Sequence, residues 1–231
     1  MFSYYGSKRQ LAHHYADPQH DLIVEPFAGS ASYSLHGNRW KKDVLLLDRD
    51  PRLVGVWEWL IGEATPADIL ALPELHVGET STEFLCIASV ASRTVNSLGT
   101  AVVTPSMVAA WEQSRSFLAA DVGKVKHWSV RFGDFNEAPD VAATWFVDPP
   151  YEGRVGDGYA FGSPDLDYVC LAAWVRSRSG QVIACESGVA RYLAFEPLRA
   201  DVDTAGDAHA EFFWSRHTEA VQPVNPLTGA E

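Results

Sequence analysis

The chain has 231 residues, of which 47% are hydrophobic and 21% charged, and a formal net charge of −12. That length allows one α/β domain with a small appended lobe and excludes two full-sized enzymatic domains; that acidity excludes a generally basic nucleic-acid binder. No apolar run approaches the length of a membrane span and Met1 to Lys8 carries no long apolar stretch, so a cytoplasmic protein is expected.

The charge is unevenly spread. Residues 1–52 hold seven basic and six acidic side chains (+1), residues 53–131 five and eight (−3), and residues 132–231 six and sixteen (−10). A polyanion is therefore expected to approach a face built from the first half. Cys86, Cys170 and Cys185 lie far apart and fit no zinc spacing, and Cys170 and Cys185 sit in apolar segments, so buried free thiols are expected. His13, His14 and His36 are not spaced with acids or cysteines as metal ligands, and no metal is expected.

Phe2 to Gln10 reads as a polar loop in which Gly6 frees the backbone to turn Tyr5 and Lys8 toward one ligand, with Arg9 alongside. Leu22 to Val24 is a short apolar strand ending at Glu25. Pro26, Phe27, Ala28, Gly29, Ser30, Ala31 and Ser32 follow as a small-residue turn, and a helical stretch is predicted through His36. Gly29 leaves room for close approach of a ligand, although the three-glycine dinucleotide fingerprint is absent. The next strand, Val44 to Leu47, ends in Asp48, Arg49 and Asp50. An acid about 20 residues beyond such a turn can hydrogen-bond ribose hydroxyls. Turn and acid together predict a nucleoside-containing cofactor.

Residues 53–126 break this rhythm. Helices are predicted over Leu53 to Ile61, Ala67 to Leu72, a stretch capped by Ser81 or Thr82 and stopped by Gly99, and Thr104 to about Ala120. A helical insertion of that size is expected to be a lobe that contacts substrate, with Arg93, Asn96 and Arg115 as its polar candidates.

The sheet pattern resumes at Trp128 to Phe132, followed by Gly133, Asp134 and Phe135, and again at Thr144 to Val147, followed by Asp148, Pro149, Pro150 and Tyr151. Two prolines in succession cannot extend a strand, so an acid and an aromatic are held on a stiff turn at a strand's carboxyl end, where open α/β sheets bind ligands. Such a turn suits an amino group, its hydrogens accepted by Asp148 and a proline carbonyl, with Tyr151 offering a ring to a planar base. Then come a helix over Asp167 to Ser177, a buried strand over Gln181 to Cys185, a short helix over Val189 to Phe195, and closing strands over Leu198 to Val202 and Glu211 to Trp214. With no helix between them, an antiparallel last strand is expected. The tail beyond Thr218 is expected to be mobile.

Taken together, these motifs resemble those of the Dam-like DNA adenine-N6 methyltransferases. Tyr5-Gly6-Ser7-Lys8 is similar to the family's amino-terminal motif, Glu25-Pro26-Phe27-Ala28-Gly29-Ser30 to its cofactor loop, and Asp48, with Arg49 beside it, to its ribose-binding position. Gly133-Asp134-Phe135 resembles the residues that flank the cofactor's adenine, and Asp148-Pro149-Pro150-Tyr151 the catalytic motif. The resemblance spans about residues 2–215. It implies an α/β, Rossmann-like methyltransferase sheet, mostly parallel with an antiparallel last strand, formed by residues 1–52 and 127–219. It further implies a helical target-recognition insertion over 53–126 and a flexible tail over 220–231. The cofactor implied is S-adenosyl-L-methionine and the partner duplex DNA with a flipped-out adenine, contacted by Lys8, Arg9, Arg93, Asn96 and Arg115. Related Pro-Pro-aromatic turns act on cytosine N4 or on protein amides, and a non-catalytic DNA- or cofactor-binding descendant is a further alternative. Asp at the motif's first position argues against the first two, and an undamaged motif against the third.

Overall fold

A computed structural model describes residues 8–78, 104–153, 156–159, 161–188, 190–198 and 211–218. Tyr5, Gly6, Cys86, Arg93, Asn96, the helix expected after Ser81 and the tail expected beyond Thr218 lie outside the described residues.

Among the described residues, seven strands form one sheet in the order β3-β2-β1-β4-β5-β7-β6. They are β1 (Leu22–Glu25), β2 (Asp43–Asp48), β3 (Ser129–Phe132), β4 (Ala143–Val147), β5 (Gly180–Ser187), β6 (Glu196–Pro197) and β7 (Glu211–Thr218). The first five are parallel, β7 runs antiparallel to β5, and β6 runs antiparallel to β7. This is an α/β protein with a mixed, mostly parallel sheet, compatible with a Rossmann-like fold.

The central strands are mostly apolar because both faces are covered. Successive residues point to opposite sides. Ile23, Leu46, Phe146 and Ile183 enter one core cluster, while Val24, Leu45, Leu47, Trp145, Val147 and Val182 enter the other. Each fully buried aliphatic side chain of this kind contributes about 1.5–3 kcal/mol. The first cluster is covered by α1 (Pro51–Gly62), α2 (Pro66–Leu70) and α3 (Pro105–Asp121) through Leu53, Trp57, Leu60, Ile69, Trp111 and Leu118. The second is covered by α4 (Tyr168–Ser177) through Leu171, Ala172 and Val175. The described part of 53–126 thus shares its core with one face of the sheet.

Local chemistry sets the helix starts. Asp50 accepts a hydrogen bond from Arg52 N and is followed by Pro51 at the first helical position; Asp167 accepts from Val169 and Cys170 N. Two expected helices do not form. Between residues 29 and 38 the chain makes turns, with Gly29, Ala31 and Gly37 at positive φ (46°, 49° and 57°). The Ser34 N–H that a helix would have used donates instead to Glu25 Oε1 at 3.0 Å. Around 190–195 the Arg191 guanidinium takes the carbonyls of Gly188 and Ala190, and no helix is present among the described residues. Cys185 is buried, but Cys170 lies exposed on the first turn of α4, its thiol donating to the Asp167 carboxylate.

Candidate ligand-binding and active site

Connections leave β1 and β4, adjacent in the sheet, toward opposite faces, which opens a crevice at their carboxyl ends. In an open α/β sheet this is the expected ligand position. A cleft whose empty volume, open solvent at its mouth included, is ≈ 800 Å³ lies there. Its lining includes Lys8, Glu25, Phe27, Ala28, Gly29, Ser30, Asp48, Arg49, Asp148 and Pro150, all expected from the sequence. It also includes Phe146, Tyr159, Phe161 and Leu166, which were not expected.

Four of the five parallel strands present a carboxylate at this edge. Glu25 ends β1, Asp48 ends β2, Asp148 follows β4, and Glu186 lies one residue from the end of β5. Glu25 is buried and accepts from the Ser34 hydroxyl and N–H; burial pushes its carboxyl up to about 8 against the pull of those bonds. Asp48 accepts from Gly29 N at 3.3 Å and Asp50 N at 2.9 Å, fastening the glycine turn to β2, and burial pushes it up to about 6. Trp57 of α1 donates its indole N–H to the Gly29 carbonyl at 3.0 Å. The turn is therefore held from both sides. Glu186 is occupied by Glu152 N, Ser187 N and the Tyr192 hydroxyl, and burial pushes it up to about 7.

Asp148 meets Lys8, whose Nζ lies 2.9 Å from Oδ1 and 4.6 Å from the centroid of the Tyr151 ring. Burial pushes the Asp148 carboxyl up and Lys8 opposes that rise. For Lys8, burial would lower the ammonium's pKa, but Asp148 and Glu211 outweigh it and hold it above the ordinary lysine value. The Pro150 carbonyl accepts from the Tyr168 hydroxyl at 2.7 Å, which fixes the turn.

Glu211 completes the cluster. Its carboxylate accepts from the Tyr151 hydroxyl, 2.7 Å from each oxygen, and from the Tyr15 hydroxyl, and it lies 3.9 Å from Lys8 Nζ. The sequence reading missed it. An acid heading an antiparallel last strand lies at the same edge as the carboxyl ends of its parallel neighbours, and Glu211 pairs in register with Ser187, the last residue of β5. That topological signal could have found it.

Other expected residues stand farther back. Pro26, Pro149 and Tyr151 do not line the cleft. Phe135 stacks behind Phe27, with ring centroids 5.8 Å apart. Asp134 reaches the lining through Arg49, 3.3 Å away, while the Arg49 guanidinium covers the Phe161 ring and donates to the Asp165 carbonyl. Among the residues expected to meet DNA, Arg9 lies over the Phe117 ring, and Arg115 donates to the Leu72 carbonyl at 2.7 Å.

Among the described residues, no group of three His, Cys, Asp or Glu side chains is arranged to hold a metal ion, and no helix is long and apolar enough to cross a membrane. No protein-family model matches the chain, and no curated protein matches it.

Proposed function

We propose that this protein is an S-adenosylmethionine-dependent DNA adenine-N6 methyltransferase. The observation that carries the reading is the shared cleft. Asp148 and Pro150, on the stiff turn after β4, line the same space as the glycine turn after β1 and Asp48 at the end of β2.

The donor groups suit a nucleoside-bearing cation. Asp48 offers a carboxylate to ribose hydroxyls, Phe27 offers a ring to a planar base, and the Gly29 turn lets backbone approach closely. Even with Glu25 held mostly neutral by burial, Asp48, Asp50 and Asp148 outnumber Lys8 and Arg49 along the lining, which favours positive charge on the ligand. When bound, S-adenosylmethionine would supply an electrophilic methyl group on a positively charged sulfur.

The chain's own part is orientation and electrostatics. The adenine amino group is a poor nucleophile because its lone pair is delocalised into the ring. Asp148 accepts one of its hydrogens and the Pro149 carbonyl the other, which favours a pyramidal nitrogen with its lone pair turned toward the methyl group. Lys8 stands where that amino group is needed, against Asp148 and over Tyr151. An entering base takes over both contacts, and Lys8 turns toward phosphate at the rim. Flipping the base out of the duplex costs a few kcal/mol; with Lys8 turned aside, the Tyr151 face that it covers is freed for stacking, which returns about 1–3 kcal/mol.

The test is incubation of the protein with methyl-labelled S-adenosylmethionine and mixed-sequence DNA, followed by identification of the modified base. Label on adenine N6 is expected, and Asp148→Ala is expected to abolish transfer while calorimetry shows cofactor binding retained. Label on cytosine moves the assignment to N4 methylation. No label on any DNA refutes the proposal.

A further inference from the structure

Glu211 has no part in the chemistry above, yet groups from three segments converge on it. Tyr151 comes from the turn after β4, Tyr15 from the segment before β1, and Lys8 from the amino-terminal loop; Asp148 shares the Lys8 ammonium. We propose that Glu211 is a positioning residue of this site. By clamping the Tyr151 and Tyr15 hydroxyls and sharing Lys8 with Asp148, it sets from β7 both the attitude of the Tyr151 ring and the share of the Lys8 charge that reaches Asp148. The inference deepens the adenine-methylation reading and rests on it.

Two features carry it. The first is the clamp. The Tyr151 hydroxyl lies 2.7 Å from both Glu211 oxygens, so the far end of the ring is pinned while its face lies beneath Lys8. A ring meant to receive a flipped base needs such support, because a loose ring pays ordering entropy when the base arrives.

The second feature is the division of one ammonium between two carboxylates, at 2.9 Å from Asp148 and 3.9 Å from Glu211. While Glu211 is charged, part of the Lys8 field is spent on it. Without that charge, more of the Lys8 field falls on Asp148, and Asp148 yields less readily to an incoming amino group. Burial pushes Glu211 up, Lys8 opposes this, and Asp148 pushes it up further. That repulsion is mutual, so neutralising Glu211 eases the ionisation of Asp148. Tyr15, Tyr151 and Cys185 face the pair as neutral groups, because burial raises each of them well above its ordinary value.

The test compares Glu211→Gln, which keeps the size and loses the charge, with Glu211→Asp, which keeps the charge and shortens the reach. In methyl transfer to DNA, the Gln variant is expected to lose about 10- to 100-fold in kcat with little change in KM for S-adenosylmethionine. Its acidic limb is expected about one pH unit lower. The Asp variant is expected to restore the limb and leave kcat reduced. A second measurement needs no substrate: a carbon-13 NMR titration of the Asp148 carboxyl, assigned with Asp148→Asn, should give a lower midpoint in Glu211→Gln. A Gln variant that keeps either the wild-type kcat or the wild-type midpoint overturns the proposal. If the Gln variant does not fold, an Asp variant with wild-type kcat overturns it. A wild-type protein that transfers no methyl group refutes the adenine reading, and the NMR midpoint then decides the role of Glu211 by itself.

Discussion

Replacing Lys8 with methionine tests whether the buried cluster is an ion-pair network held by the Lys8 ammonium. With an effective dielectric constant of about 20, the contacts at 2.9 and 3.9 Å correspond to attractions of about 6 and about 4 kcal/mol. Desolvating an ammonium that is only 5% exposed consumes much of that gain. The larger effect is what the substitution leaves behind, two carboxylates facing each other without a counter-ion, and breaking one partner of a buried pair costs about 3–5 kcal/mol. The loss should depend on pH. In the wild type the raised Lys8 value keeps the ammonium charged, so its stabilisation is complete below the unfolded lysine value of about 10.4 and fades only above it. In the variant, Asp148 and Glu211, already pushed up by burial, lose the pull of Lys8 and rise further. The folded state then holds protons that the unfolded chain has released, so stability falls as pH climbs from about 4 through the raised folded values. Urea unfolding of both proteins at about pH 5.5 and about pH 8 should show the smaller deficit in acid. A deficit below about 1 kcal/mol, or one equal at the two pH values, refutes the network.

Asp48, pushed up to about 6 by burial, accepts ribose hydroxyls best when ionised, so calorimetric affinity for S-adenosylmethionine should drop as pH falls through that value. Asp48→Asn should lower affinity about tenfold, or about 1.4 kcal/mol, and flatten the pH dependence; an unchanged slope would remove Asp48 from the cofactor site. Trp57→Phe deletes the indole donor to the Gly29 carbonyl and should cost about 1–3 kcal/mol in thermal or urea unfolding. It should also weaken cofactor binding by loosening the turn, and full affinity in a destabilised variant would show that Asp48 alone holds it.

Much of the sheet was legible in the chain itself. Short apolar runs ended by Glu25-Pro26, Asp48 and Asp148-Pro149-Pro150 read as strands because burial on both faces demands apolar residues and proline cannot donate to a ladder. Caps at Asp50 and Asp167 likewise declared their helices. The helix expected before His36 failed because Glu25, nine residues away, captured the Ser34 N–H, a competition that local propensity does not contain.

What the sequence alone determined is thus the carboxyl ends of β1 to β4 and the residue types placed on them. Side-chain alternation and turn chemistry are local, so they survive without knowledge of partners. Only the tertiary structure decided that Lys8 from the amino-terminal loop and Glu211 from the last strand meet Asp148, and that Tyr151 stands behind the cleft lining with its hydroxyl on Glu211. Those contacts join residues up to about 200 positions apart. They exist because an antiparallel β7 brings its first residue to the edge where the parallel strands end, a fact of strand order that no single stretch of sequence encodes.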